Sequence, residues 1–382
     1  GYLLIPADPE NPQSLRVGII QPNVAQDNRT DWTVRQRLRD WHTLRDLTKA
    51  AASDPRNPDP LDVIIWPEGF VPGWTFDPVS LNTEHDANLA WSMVPRTTDD
   101  VPELTNQPSK ISATTIVDEL LILQKALDIP MVVGSVAYDN LQIVDTDAGI
   151  EYQRDAMYNS AFVILDGQPQ RVWYDKLHLT PFGEVMPYIS TWQWLESKLL
   201  SVGANGMEFA LSEGKEPRVL LIPYKRDGVT TTASLATPIC FEATISSVCR
   251  KLVFRNGKRQ AAILVNMTND GWFGTSVAGR TSHMLGARWR CVELNTPMIR
   301  CANTGISCVI DRRGQVETRS IVQLRFADQQ EGHLISDVTL AQGSTVFASI
   351  GDLFGWVCFV LGSLLVFRMI FRRSSSVQPA DE

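Results

Sequence analysis

Strands mixed with helices along the whole length make this an α/β chain built in layers rather than an all-β sandwich. Two observations carry the prediction. Short apolar runs rich in β-branched residues recur from Arg16 to Val338, and helix-length stretches lie between several of them. No segment repeats at a fixed period, so a solenoid is excluded.

Taken in order, Arg16–Gln21 is the first strand and Trp32–Ala52 the first helix. Leu61–Trp66 is the next strand; Pro67 lacks a ladder donor and ends it. Asp86–Ser112 breaks the rhythm: it is polar, carries three prolines and has no clear period, so it is expected to be a long surface excursion. A helix follows over Ile116–Leu127, then strands over Met131–Val136 and Ala161–Leu165. Tyr188–Leu200 sets Trp192, Trp194, Leu195, Leu199 and Leu200 among few charges. Such a segment suits either a bilayer surface or packing on the domain's own core. The remaining strands are Val219–Ile222, Thr231–Ile239, Ala261–Asn266, Met298–Ala302, Ile306–Ile310 and His333–Val338, with a helix over Thr281–Leu294.

The balance of 35 basic to 43 acidic residues gives a net charge of −8, which argues against a nucleic-acid surface. Six cysteines (Cys240, Cys249, Cys291, Cys301, Cys308 and Cys358) stand without a CxxC pair, so no zinc site is indicated. No metal and no cofactor is expected. Cys301 and Cys308 flank Asn303-Thr304-Gly305, a plausible hairpin turn, and are expected as two buried thiols that can face each other across it.

The chain begins at Gly1 with no charged segment followed by an apolar core, so no signal peptide is visible. Near the other end, Leu353–Phe367 carries no charge, and apolar residues continue through Met369, Ile370 and Phe371 around Arg368. A spanning helix needs about 20 mostly apolar residues, and Arg368 can snorkel to an interface. Arg368, Arg372 and Arg373 close the run as a positive-inside flank would, which puts residues 372–382 in the cytoplasm and the rest of the chain across the membrane. The expected organisation is a linker over 1–15, a catalytic domain over 16–346, a transmembrane helix over 347–371 and a cytoplasmic tail over 372–382.

Three strand ends carry chemistry. Glu68 follows Val63-Ile64-Ile65-Trp66-Pro67, Lys176 follows Arg171-Val172-Trp173-Tyr174, and Cys240 follows the Thr231–Ile239 run. A thiol is a poor nucleophile until it loses its proton, so a carboxylate and an ammonium at two other strand ends equip it for acyl transfer. Glu68 would move the proton. Lys176, with the backbone N–H after the nucleophile, would hold the charge developing on the substrate oxygen. His178 and His283 are expected to be structural, because Glu68 can serve as the base.

Together with Gln21-Pro22-Asn23, Pro181-Phe182-Gly183-Glu184 and Asn269-Asp270-Gly271-Trp272-Phe273-Gly274, these stretches resemble the nitrilase (carbon–nitrogen hydrolase) superfamily, and within it the apolipoprotein N-acyltransferase family. The resemblance runs from about Arg16 to the C-terminal helix. It implies a nitrilase-like four-layer α-β-β-α sandwich, a catalytic triad of Glu68, Lys176 and Cys240, and supporting carboxylates at Glu184 and Glu242. Trp32 matches an active-site tryptophan of the acyltransferases. Phe241 stands where they commonly carry tyrosine, which keeps the aromatic wall and removes its hydroxyl. Members of the family anchored in the bacterial inner membrane carry a helical bundle before this domain, and Gly1-Tyr2-Leu3-Leu4-Ile5 is expected to be the stub of one such helix.

The resemblance further implies an N-acyltransferase of the bacterial inner membrane whose catalytic domain faces the periplasm. It would move an acyl chain from a phospholipid, phosphatidylethanolamine above all, through a Cys240 thioester to the α-amine of the diacylglyceryl-cysteine of an apolipoprotein. Two other readings remain open at this stage: an amidohydrolase acting on a small amide, and a membrane-tethered scaffold without activity.

Overall fold

A computed structural model describes residues 12–24, 33–57, 59–69, 75–92, 110–146, 149–181, 184, 211–226, 228–317 and 330–374. Trp32 and Tyr188–Leu200 lie outside the described residues.

The main strands are β1 (Ser14–Gln21), β2 (Val63–Ile65), β3 (Met131–Asp139), β4 (Ala156–Leu165), β5 (Tyr174–Asp175), β6 (Leu220–Arg226), β7 (Val229–Ala236), β8 (Ile263–Thr268), β9 (Met298–Ala302), β10 (Cys308–Ile310) and β11 (Gly332–Thr339). A seven-stranded sheet has the order β5-β4-β3-β2-β1-β11, with Gln168–Pro169 paired to β4, and a five-stranded sheet the order β6-β7-β8-β9-β10. The helices are α1 (Val34–Ala52), α2 (Pro78–Ala87), α3 (Thr115–Leu127), α4 (Ser246–Val253), α5 (Val277–Leu294), α6 (Val346–Ile350) and α7 (Leu353–Ser374).

Alternation along the strands of the first sheet explains the layering. Leu15, Val17 and Ile19 of β1, Val63 and Ile65 of β2, Val132 of β3 and Ala161 and Val163 of β4 share one core with the second sheet. Ile20, Ile64, Met131, Val133, Phe162 and Ile164 point the other way, into a second core with Trp41 and Leu44 of α1 and Ile116, Val117 and Leu120 of α3. Both faces of the sheet are therefore dry, which is why its strands are continuous apolar runs instead of alternating ones. Beyond the second sheet, Cys249 and Leu252 of α4 and Met284, Ala287 and Cys291 of α5 close the fourth layer. The four-layer α-β-β-α sandwich is the architecture found.

Each sheet contains a parallel trio, β1-β2-β3 in one and β7-β8-β9 in the other. Their carboxyl ends meet at one edge, where side-chain amides stitch the loops together. Asn303, after β9, donates from Nδ2 to Val24 O at 2.8 Å and to Asn269 Oδ1 at 3.1 Å, and Val24 N–H donates back to Asn303 Oδ1 at 2.8 Å. Clefts at the carboxyl ends of parallel strands are where α/β folds bind their ligands.

The structure corrects several sequence expectations. The run expected to continue to Ile239 leaves its ladder after Ala236, and Ile239 keeps a single bridge to Met267. Within Asp86–Ser112, helix α2 takes the first residues, and Ala90–Ser92 pairs antiparallel with Lys110–Ser112. Cys301 and Cys308 do not face each other, because the β9–β10 register sets Cys308 opposite Arg300. Both thiols are free and buried, and the Cys301 thiol donates across the sheet interface to Ile20 O at 3.3 Å and Ile65 O at 3.4 Å.

Helix α6 belongs to the domain: Ala348 is buried, and Arg250 donates to Ala348 O at 2.8 Å and Ser349 O at 2.9 Å. Helix α7 is different. Leu353, Phe354, Trp356, Val360, Leu364 and Met369 are all more than half exposed, so apolar side chains surround its axis. Among the described residues no helix is long and apolar enough to cross a membrane; the described side chains of α7 end at Met369.

Candidate active site

Glu68 is buried just past the end of β2, and both of its oxygens are held. Asn159 Nδ2, on β4, donates to Oε1 at 2.8 Å, and the Asn269 N–H, just past β8, donates to Oε2 at 3.0 Å. Lys176 directly follows β5 and is fully buried. Its Nζ lies 2.6 Å from Glu184 Oε2 and 3.5 Å from Glu68 Oε1. Glu184 is itself fixed by the Thr180 N–H at 2.7 Å and by Asn159 Nδ2 at 3.3 Å.

Burial alone would pull the Lys176 ammonium down, but the charges of Glu68, Cys240 and Glu184 outweigh it and raise the group above its ordinary value. The side chain stays an ammonium. The Glu184 carboxyl runs the other way: burial opposes ionisation, and Lys176 with the Thr180 bonds holds it below the usual range. Two carboxylates and one ammonium thus form a buried set whose charges are satisfied by each other and by amide donors.

Cys240 begins a short 3-10 turn, Cys240–Thr244, where the chain bends away from β7. Its φ is +52°, a left-handed value that costs a non-glycine residue energy and recurs at active sites. Asn266 Nδ2 holds the bend by donating to Pro238 O at 2.9 Å and Cys240 O at 3.2 Å. The thiol is pushed up to about 12, first by burial and then by the nearby negative charge of Glu68; Lys176 and the Thr268 hydroxyl act against that rise. At neutral pH it therefore rests as S–H.

Glu242 ties the lysine segment to the cysteine segment. Its carboxylate accepts from the Tyr174 hydroxyl at 2.9 Å, the Leu177 N–H at 2.7 Å, the His178 N–H at 2.9 Å and the Ile239 N–H at 2.8 Å. Phe241 stacks on His178, with ring centroids 6.5 Å apart. His283 pairs with Asp270 at 2.9 Å, and the same carboxylate oxygen accepts from the Thr268 hydroxyl at 3.2 Å.

The fold therefore gathers Glu68, Lys176, Cys240, Glu184, Glu242 and Phe241 at one edge, whereas Trp32 lies outside the described residues. Sequence reasoning missed Asn159, Asn266 and Thr268. Their signal was present: each is a polar residue inside an otherwise apolar strand, and buried polar groups need partners.

The carbon-nitrogen hydrolase family pattern matches residues 16–343. The chain belongs to the carbon-nitrogen hydrolase family. Among its relatives, the apolipoprotein N-acyltransferase of Geobacter metallireducens is 28% identical over 369 residues, covering 96% of this chain and 56% of that protein. That of Bradyrhizobium diazoefficiens is 37% identical over 212 residues, 55% of this chain and 35% of that protein. The chain spans about half or less of the length of these curated relatives, 56% and 35% respectively. Among solved carbon-nitrogen hydrolases, Saccharomyces cerevisiae Nit3 aligns with a TM-score of 0.48 at 14% identity, over 86% of this chain and 90% of that one.

Proposed function

We propose that the chain is the catalytic part of a membrane-anchored N-acyltransferase that acylates bacterial lipoproteins. The observation that carries this reading is the buried Glu68–Lys176–Glu184 set electrostatically coupled to Cys240. Similarity to proteins named apolipoprotein N-acyltransferase supports the choice of substrates.

In the first half-reaction Cys240 Sγ attacks the ester carbonyl of a phospholipid, phosphatidylethanolamine in our reading, while Glu68 takes the thiol proton. A high thiol pKa requires that transfer to accompany attack. Lys176 cannot act as the acid, since its neighbours lock its proton in place; it holds the oxyanion by charge, with the Phe241 N–H. Collapse of the tetrahedral intermediate breaks the ester C–O bond, Glu68 returns the proton to the leaving alkoxide, and a lysophospholipid departs. In the second half, the α-amine of a diacylglyceryl-cysteine attacks the thioester, Glu68 receives an amine proton, and the released thiolate recovers it. Glu184 fixes Lys176, and Glu242 fixes both reacting segments. Trp32 and Phe241 are proposed to line the acyl site.

Both substrates are lipids, which accounts for an apolar helix at the end of the domain. We assign α7 with its flanks as the span, with Arg368, Arg372 and Arg373 toward the cytoplasm and the catalytic domain toward the periplasm. The test is intact-protein mass spectrometry after incubation with phosphatidylethanolamine vesicles, followed by addition of a diacylglyceryl lipopeptide. An acyl mass on Cys240 that moves to the lipopeptide amine, and that the Cys240→Ala variant never acquires, is expected. Release of free fatty acid or ammonia with no transfer would instead identify an amidohydrolase, and a folded, lipid-supplied protein that stays unmodified would overturn the proposal.

A further inference from the structure

Arg300 lies in the middle of β9 and is completely buried, yet the chemistry above does not use it. Its Nε donates to Ile306 O at 3.1 Å, its Nη1 to Asn266 Oδ1, and its Nη2 to Asp270 at 2.9 Å and 2.7 Å; His283 Nδ1 lies 3.2 Å from Nη2. A buried ion pair is no more stabilising than an apolar pair of the same volume, so its presence in a core strand asks for another reason.

The partners supply one. Asn266 sits directly opposite Arg300 in the β8–β9 ladder. Because the guanidinium requires the amide oxygen, the amide cannot flip, and its Nδ2 must face Pro238 O and Cys240 O. Those two carbonyls define the bend that carries the left-handed Cys240. On the other side, Arg300 and His283 anchor Asp270, the residue after Asn269, whose N–H grips Glu68 at 3.0 Å. Burial opposes the ionisation of Asp270, yet Arg300 and His283 hold it down at about 2. Gly305 makes room for this carboxylate: a Cβ there would sit 2.4 Å from Asp270 Oδ2.

We propose that Arg300 is the positioning residue of the reactive centre, holding the Cys240 bend through Asn266 and the Glu68 contact through Asp270 in one fixed register. The role rests on the acyl-transfer reading for its purpose but not for its test. Lysine keeps the charge but cannot serve three partners with a planar fork, so Arg300→Lys breaks the register without removing the cation. Asn266→Asp is volume-matched and keeps an oxygen toward Arg300 while losing the donor to the two carbonyls.

The experiment measures alkylation of Cys240 by iodoacetamide in the folded full chain, peptide by peptide, normalised to a small free thiol added to the same reaction. A displacement of about 1 Å costs roughly 100-fold in rate at a reacting centre, so a drop of that order is expected for Arg300→Lys and of about 10-fold or more for Asn266→Asp. Acyl-enzyme formation from phosphatidylethanolamine should fall by the same factors with the apparent KM unchanged. A purely structural arginine would lower the melting temperature while the molecules still folded reacted at the wild-type rate; that result overturns the proposal. Should Arg300→Lys fail to fold, Asn266→Asp alone decides it. Alkylation needs no lipid, so wild-type protein that alkylates but takes up no acyl group counts against the acyl-transfer reading alone.

Discussion

The two sheets equip the reactive edge in opposite ways. From the seven-stranded sheet and its loops come charges held by side chains: Lys176 Nζ lies 3.5 Å from Glu68 and 2.6 Å from Glu184, and Asn159 Nδ2 donates to both carboxyl groups. From the five-stranded sheet comes a neutral thiol held by its own backbone, with Asn266 on the carbonyls and a left-handed φ. One side stores charge, and the other stores geometry. The difference locates the thiol proton: it rests on sulfur, beside the Glu68 side chain that Asn159 and the Asn269 N–H hold in place.

The largest effect is expected on the charged side. Lys176→Met leaves two buried carboxylates without their cation, and breaking such a pair costs about 3–5 kcal/mol. Thermal melting should record that loss, and mass spectrometry should find no acyl-enzyme.

A matched contrast sharpens the lesson. Glu84 on α2 is as buried as Glu68, yet among the described residues neither of its oxygens has a hydrogen-bond partner, and burial together with Asp77 pushes it up to about 8. Its folded value is raised above the ordinary 4.5, so its contribution to stability is complete below about 4.5 and is lost as pH rises through about 8. The slope across that window approaches about 1.36 kcal/mol per pH unit. Glu84→Gln should flatten the dependence of melting temperature on pH between those limits and melt above the wild type at alkaline pH.

On the link between the two sides, Glu242→Gln exchanges one acceptor oxygen for a donor amide in a ring of N–H and O–H donors. An unsatisfied buried donor costs about 1–3 kcal/mol. Acylation should fall with stability, and a variant that melts lower but acylates normally would show that the two segments keep their register without it.

The smallest effect is the most diagnostic of the neutral thiol. Iodoacetamide labelling of Cys240 should climb steadily from pH 7 through pH 9 with no plateau near neutrality, as a thiol held up at about 12 requires. A plateau below pH 8 would mean a resting thiolate, and the division of labour between the sheets would be broken.

Much of this was readable from the chain. The β-branched runs located every main strand except the two-residue β5, because strands dry on both faces advertise themselves. Glu68 stood just past a strand whose exit Pro67 marks, and Lys176 and Cys240 just past strand-like runs. What stayed hidden is instructive. The hairpin of Gln142–Thr146 with Gly149–Gln153 is short and half-exposed, so its residues carry little apolar pattern. The end of β7 was misplaced because Thr237-Pro238-Ile239 is as apolar as a strand while its backbone serves the bend. Asn159, Asn266 and Arg300 each interrupt an apolar run, but the identity of their partners depends on bringing together residues 26 to 91 positions apart.

The backbone at residue 240 has one consequence for engineering. Ordinarily alanine makes a chain sturdier than glycine, yet here the torsion favours the residue without a side chain. Between two inert proteins made at this position, Cys240→Gly should therefore outlast Cys240→Ala on heating, by about 1 kcal/mol. The left-handed bend at residue 240 therefore costs the chain stability that a glycine there would return.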